Sequence, residues 1–210
     1  DGTIYPGGGA ELVEWSFKSP TNEQLGRMDG KCPIRFKVEY NYDAHTTSDL
    51  SIISKNRILD ISRSGEDISV TPVQTQSRGP IKIDVSYDAE QPISQGLIVP
   101  VVMKVKDTGS GMYEKVEPGE LEVTFPSVFS GSVTCHNFGM NDADSDDVWV
   151  NSENISLING ETPIIRCDID TTGITIQDIK TYYIKAEMKD YTYPLYEEKE
   201  VSIKSTYQTS

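Results

Sequence analysis

Histidine is nearly missing from this sequence, with two residues, and tryptophan also occurs only twice. His45 lies in the polar stretch Asp43-Ala44-His45-Thr46-Thr47, and His136 directly follows a cysteine. There is no G-x-S-x-G, no H-E-x-x-H and no phosphate-cradling glycine loop. Gly7-Gly8-Gly9 lacks the lysine and the preceding strand that a phosphate loop requires. The expectation is therefore a protein that is not an enzyme. A glycosidase pair of carboxylates is set by folding rather than by spacing, and is the one reaction class this test leaves open. Basic residues are also short, at 19 against 33 acidic, for a net charge of -14. Such a surface repels phosphate backbones, which excludes nucleic acid as a natural partner and favours solubility and cations. No apolar run approaches the roughly 20 residues of a membrane helix. The three cysteines form no C-x-x-C or C-x-x-H spacing, which argues against zinc.

What the sequence has is a two-residue period. Ile34, Phe36, Val38 and Tyr40 alternate with charged residues, as do Ile81, Ile83, Val85 and Tyr87 with polar ones. Val99, Val101, Met103 and Val105 share one parity, followed by Leu121, Val123 and Phe125, then Tyr182, Ile184, Ala186 and Met188, and finally Val201 and Ile203. Each run presents an apolar face to a core and a polar face to water, as antiparallel sheets do. No helical period stands out. Turn signals separate the runs, among them Gly79-Pro80, Pro118-Gly119, Thr172-Gly173 and Asn159-Gly160, which reads as a tight hairpin. The fold class expected is all-β: antiparallel, an immunoglobulin-like β-sandwich, with two β domains in tandem.

The run Pro33-Ile34-x-Phe36-x-Val38-x-Tyr40 recurs as Pro80-Ile81-x-Ile83-x-Val85-x-Tyr87. Either two strands look alike, or each opens a sheet. A soft boundary near Ser77 to Gly79 gives residues 1–10 as an N-terminal arm, 11–78 as a β domain and 79–210 as the sandwich domain. Within the latter, Gly96, the alternating Val99 to Val105 and the turn Asp107-Thr108-Gly109 resemble the second-strand region of immunoglobulin-like modules in archaeal and bacterial cell-surface proteins. The resemblance spans Pro80 to Lys204. It implies a fold and a surface location, not an activity.

Cys135 and Cys167 lie in short β-like runs on either side of an acidic loop, and a disulfide between them is expected. Closing that span is worth roughly 3–4 kcal/mol in the loop-entropy description. Cys32 is left over, either to pair between chains or to sit plainly at a strand start. The first residue is Asp1. The chain is read as extracellular, at the cell surface, after removal of an N-terminal leader.

The acidic loop Asn141 to Asp147 carries Asp142, Asp144 and Asp146, whose spacing offers oxygens from alternate positions, as calcium prefers. Glu153 falls at the twelfth position counted from Asp142, where a helix-loop-helix site places its bidentate carboxylate. The sixth position is Asp147 instead of the glycine that such a site needs, and the flanks read as strand. The expectation is a calcium site on a β-sandwich loop, the other reading being a solvated acidic loop. Asn154-Ile155-Ser156 is a glycosylation sequon. Trp149 borders the acidic loop and is a ligand-binding candidate; Trp15 reads as core. Tyr182, Tyr183, Tyr191, Tyr193 and Tyr196 could form a binding strip or ordinary cross-strand pairs. A glycine-rich arm before a strand-like run, Leu12 to Phe17, suggests strand donation to a neighbour's open sheet edge. The functional expectation is a subunit of a surface appendage, filament or coat, partnered by its own copies or by other surface proteins. The alternative is a non-catalytic module binding carbohydrate or protein.

Overall fold

The computed structural model describes residues 14–21, 23–25, 29–140 and 147–204. The alternating runs become strands, and the chain is all-β with mainly antiparallel sheets. One sheet holds β1 (Gly30–Ile53), β2 (Gln74–Gln76), β4 (Ile93–Ser94), β7 (Leu121–Thr124), β9 (Phe138–Met140), β10 (Val148–Asn151) and β13 (Ile179–Ile203). Its order is β2-β1-β13-β7-β10-β9, with β4 pairing β1 in parallel. A second sheet holds β3 (Ile81–Tyr87), β5 (Ile98–Asp107), β8 (Val133–Cys135) and β12 (Ile165–Asp170), in the order β3-β5-β12-β8. A short ribbon pairs β6 (Lys115–Val116) with β11 (Ile155–Ser156).

The chain divides into two compact units. The larger, Lys37–Tyr196, contains the core and every site discussed below. Its two larger sheets bury apolar residues of alternating parity in a single cluster: Leu50, Ile52, Leu121, Val123 and Ile184 from one, Ile81, Val99, Val101, Val105 and Ile169 from the other. The boundary expected between 77 and 79 falls in the connection from β2 to β3, and residues from both sides of it share this cluster. Cross-strand contacts Asn41–Thr192, Asp43–Asp190 and Ser51–Thr181 run in opposite order along β1 and β13, so the two strands are antiparallel. In the smaller unit, exposed ion pairs Lys31–Glu200 and Arg35–Glu198 join the same strands, each at 2.6 Å. Exposed pairs of this kind contribute little to stability.

Two expectations change. Residues 55–64, read as lacking helical pattern, form α1 (Lys55–Ser64). The Ser54 hydroxyl accepts from the Arg57 N–H, and Gly65 closes the other end at φ +70°. No residue of α1 is buried; its apolar side chains, Ile58, Leu59 and Ile61, lie on one side of the helix but are only three in ten residues. Trp15, expected in the core, is 57% exposed, outside any strand, with its ring 5.1 Å from that of Phe36.

The turn that follows β5 shows why its residues were needed. The Asp107 carboxylate accepts from the Gly109 N–H, the Tyr113 N–H and the Tyr193 hydroxyl, at 3.0, 3.0 and 2.7 Å. A side chain at Gly109 would collide with the Tyr193 hydroxyl, so the turn admits only glycine there. Among the described residues, no helix is long and apolar enough to cross a membrane.

Candidate functional site

Cys135 and Cys167 are directly opposite each other on β8 and β12 and form a disulfide. Both face the core, so their neighbours His136 and Arg166 face outward, following the alternation of a strand. The His136 N–H donates to the Arg166 carbonyl at 3.1 Å, which closes β8 against β12 one step beyond the bridge. Arg166 then holds Asp168, with Nε and Nη2 each 2.9 Å from Oδ1, and His136 Nε2 stands 3.8 Å from the other carboxylate oxygen.

His136 and Arg166 are among the residues that line a cleft of about 380 Å³. The turn from β8 to β9 supplies Asn137, whose carbonyl accepts from the Ser152 N–H and hydroxyl at 3.2 and 3.0 Å. A further part of the cleft's rim is Glu153 to Ser156. It is fixed from inside by Asn151, which is 2% exposed. Asn151 Oδ1 accepts from the Leu121 N–H, and Nδ2 donates to the carbonyls of Glu117 and Glu153, all within 2.9 Å. Part of the lining is apolar. Ile158, immediately before the hairpin turn Asn159-Gly160, and Ile164 are 66% and 63% exposed. Both turn residues have positive φ, 55° and 79°, the geometry of the two-residue turn that this dipeptide favours.

Of the residues singled out from sequence, Glu153 and Asn154 line this cleft. Trp149 does not. It lies in β10 opposite Val123 and Met140, half-buried against the core. Asp142, Asp144 and Asp146 lie outside the described residues, as does the arm 1–10. Among the described residues, no group of three or more His, Cys, Asp or Glu side chains is placed to hold a metal. His136, Arg166 and the two isoleucines were not anticipated. The pair His136 and Arg166 follows from the bridge itself, since a register that opposes Cys135 to Cys167 also opposes 136 to 166.

A second, more polar cleft of about 560 Å³ is lined by Glu39, Glu114, Glu117 and Glu120 with Lys37 and Lys115. Its charges are largely spent on one another: Lys37–Glu39 at 2.6 Å, Lys115–Glu117 at 2.9 Å and the Tyr113 hydroxyl on Glu120 at 2.7 Å. Burial, then the Glu120 carboxylate, pushes the Tyr113 phenol upward. Burial likewise pushes Tyr87, Tyr191 and Tyr193 up to about 12, from an ordinary 10.0, with the Asp107 carboxylate adding to the effect on Tyr193. The unfolded chain ionises these phenols first. Their contribution to stability is thus complete below pH 10 and lost as the pH climbs to about 12. Ultraviolet titration should accordingly show these tyrosines ionising together with alkaline unfolding. Reversible titration of all eleven tyrosines near pH 10 in a folded chain would contradict this burial.

No protein-family model, no curated protein and no solved structure matches the chain.

Proposed function

We propose that the chain is an extracellular structural module with an immunoglobulin-like β-sandwich, a subunit of a surface appendage, filament or coat that assembles through strand edges. The shared core of the two larger sheets supports a single sandwich spanning Lys37–Tyr196, with the residues before 77 contributing strands to it. The Cys135–Cys167 bridge supports an oxidising compartment. The observation that carries the assembly reading is the edge of β1. Beyond its pairing with β2 at Thr46–Ser48, β1 has β13 on one side and, among the described residues, no strand on the other from Lys37 to Asp43. Val38, Tyr40 and Tyr42 stand about 40% exposed along that stretch. An unpaired edge with apolar side chains is a template for another strand.

Mass photometry across a concentration series tests this. Oligomers are expected to grow with concentration, and Val38→Lys with Tyr40→Lys is expected to return the chain to monomers. Deleting residues 1–10 should lower the oligomer mass if that arm is the donated strand. A chain monomeric throughout, both in millimolar calcium and in chelator, would refute the assembly reading. A shift between the two conditions supports calcium bracing of the loop bearing Asp142, Asp144 and Asp146.

A further inference from the structure

One residue of the cleft beside the disulfide has a chemical address. Asn154 begins the sequon Asn154-Ile155-Ser156 and lies exposed on the rim, between β10 and β11. Nothing among the described residues hydrogen-bonds its carboxamide, and the residues before it are fixed by Asn151. The rim is therefore held while the amide is presented.

We propose that Asn154 carries an N-linked glycan whose first sugars lie in this cleft. The inference rests on the extracellular reading above. The bond forms between Nδ2 of Asn154 and the anomeric carbon of a lipid-linked oligosaccharide. The anomeric carbon–oxygen bond to the lipid phosphate breaks, the phosphate leaves with the bonding pair, and the amide proton passes to the transferase base. No oxidation or reduction is involved. The sequon hydroxyl of Ser156 is two residues on, as such transfer requires.

Three features of the cleft favour a sugar as its occupant. Ile158 and Ile164 are among the most exposed large apolar side chains described, and they offer surface to the C–H faces of a pyranose. Arg166, His136 and Asn137 line the same cleft with donors and acceptors for hydroxyls. A volume of about 380 Å³ lies in the range of small-ligand sites. The tether matters most. A sugar already bonded to the rim is present at an effective concentration of order millimolar, so contacts too weak to hold a free sugar suffice.

The test is secretion of the whole chain from a host that N-glycosylates, with a short peptide bearing a control sequon fused to its C-terminus. Peptide mass spectrometry should find hexosamine-containing mass on Asn154, absent in Asn154→Gln and in Ser156→Ala. The glycosylated chain should melt about 2–4 °C above the Ser156→Ala chain. Ile158→Ser with Ile164→Ser should keep the glycan but remove that difference. A bare Asn154 beside a modified control sequon overturns the proposal. A glycan whose loss leaves melting unchanged overturns its seating in the cleft. Secretion with Cys135–Cys167 oxidised but Asn154 bare sinks the glycan alone, whereas a chain that reaches the medium only reduced sinks the extracellular reading.

Discussion

Replacing Cys135 and Cys167 together by alanine is expected to cost about 3–4 kcal/mol. At about 2–4 °C per kcal/mol for a chain of this size, the melting temperature falls by roughly 6–16 °C. The magnitude follows from a sequence separation of 32 between the bridged residues. Location adds to it. β8 has three residues, lies at the end of its sheet and, among the described residues, pairs only with β12. Few ladder bonds hold it without the bridge. The closed segment contains β9, β10, β11 and most of the cleft, so its loosening releases that wall as a unit. Single replacements should be worse than the double, because each leaves an unpaired thiol at a core-facing position. Hydrogen exchange should rise from 133 to 140 and stay low from 81 to 87, where β3 pairs β5 over its full length. Thermal unfolding of the double variant within about 2 °C of the native chain would refute the account.

The strands were legible where alternation coincides with burial. Val99, Val101, Met103 and Val105 are all at most 1% exposed, as their parity predicts. The bridge and the Asn159-Gly160 turn were legible for equally local reasons. The repeated pattern at 33–40 and 80–87 was legible as strand but not in its fate. The second copy buries Ile81, Ile83 and Val85 in β3, while Val38 and Tyr40 of the first stay about 40% exposed in β1. Alternation specifies a face; whether another layer covers it depends on distant parts of the chain. The helix α1 was hidden because its caps, Ser54 and Gly65, are common turn residues and its apolar side, Ile58, Leu59 and Ile61, spans barely one turn. The cleft was half legible. Glu153 and Asn154 stood out by type, yet Ile158 and Ile164 look like core in a sequence, and only the fold leaves them exposed. Trp149 was drawn toward the acidic loop by proximity in sequence, whereas the pairing of β10 turns it onto the core.

Asn151 is where the cleft and the core meet, and it carries the second large effect. Asn151→Ala removes three hydrogen bonds, but they are not equal. The carbonyls of Glu117 and Glu153 belong to exposed residues, so water replaces the lost amide. The Leu121 N–H does not have that option, since Leu121 is fully buried. An unsatisfied buried donor costs about 1–3 kcal/mol, and with the space left behind the variant should lose about 2–4 kcal/mol. Asn151→Asp separates the contributions. Its carboxylate keeps an acceptor for Leu121 but turns an oxygen toward two carbonyls that need a donor. Burial and that repulsion raise the carboxyl above its ordinary range in the folded chain. Stability is then fully present below the unfolded-state value and is lost as the pH rises through the folded one, so the Asp variant should be weakest at neutral pH and recover on acidification. Urea unfolding of Asn151→Ala and Asn151→Asp at both pH values reads this directly. Equal losses for the two variants at every pH would refute this, because they would mean that a carboxylate oxygen set against the Glu117 and Glu153 carbonyls costs no more than water does there.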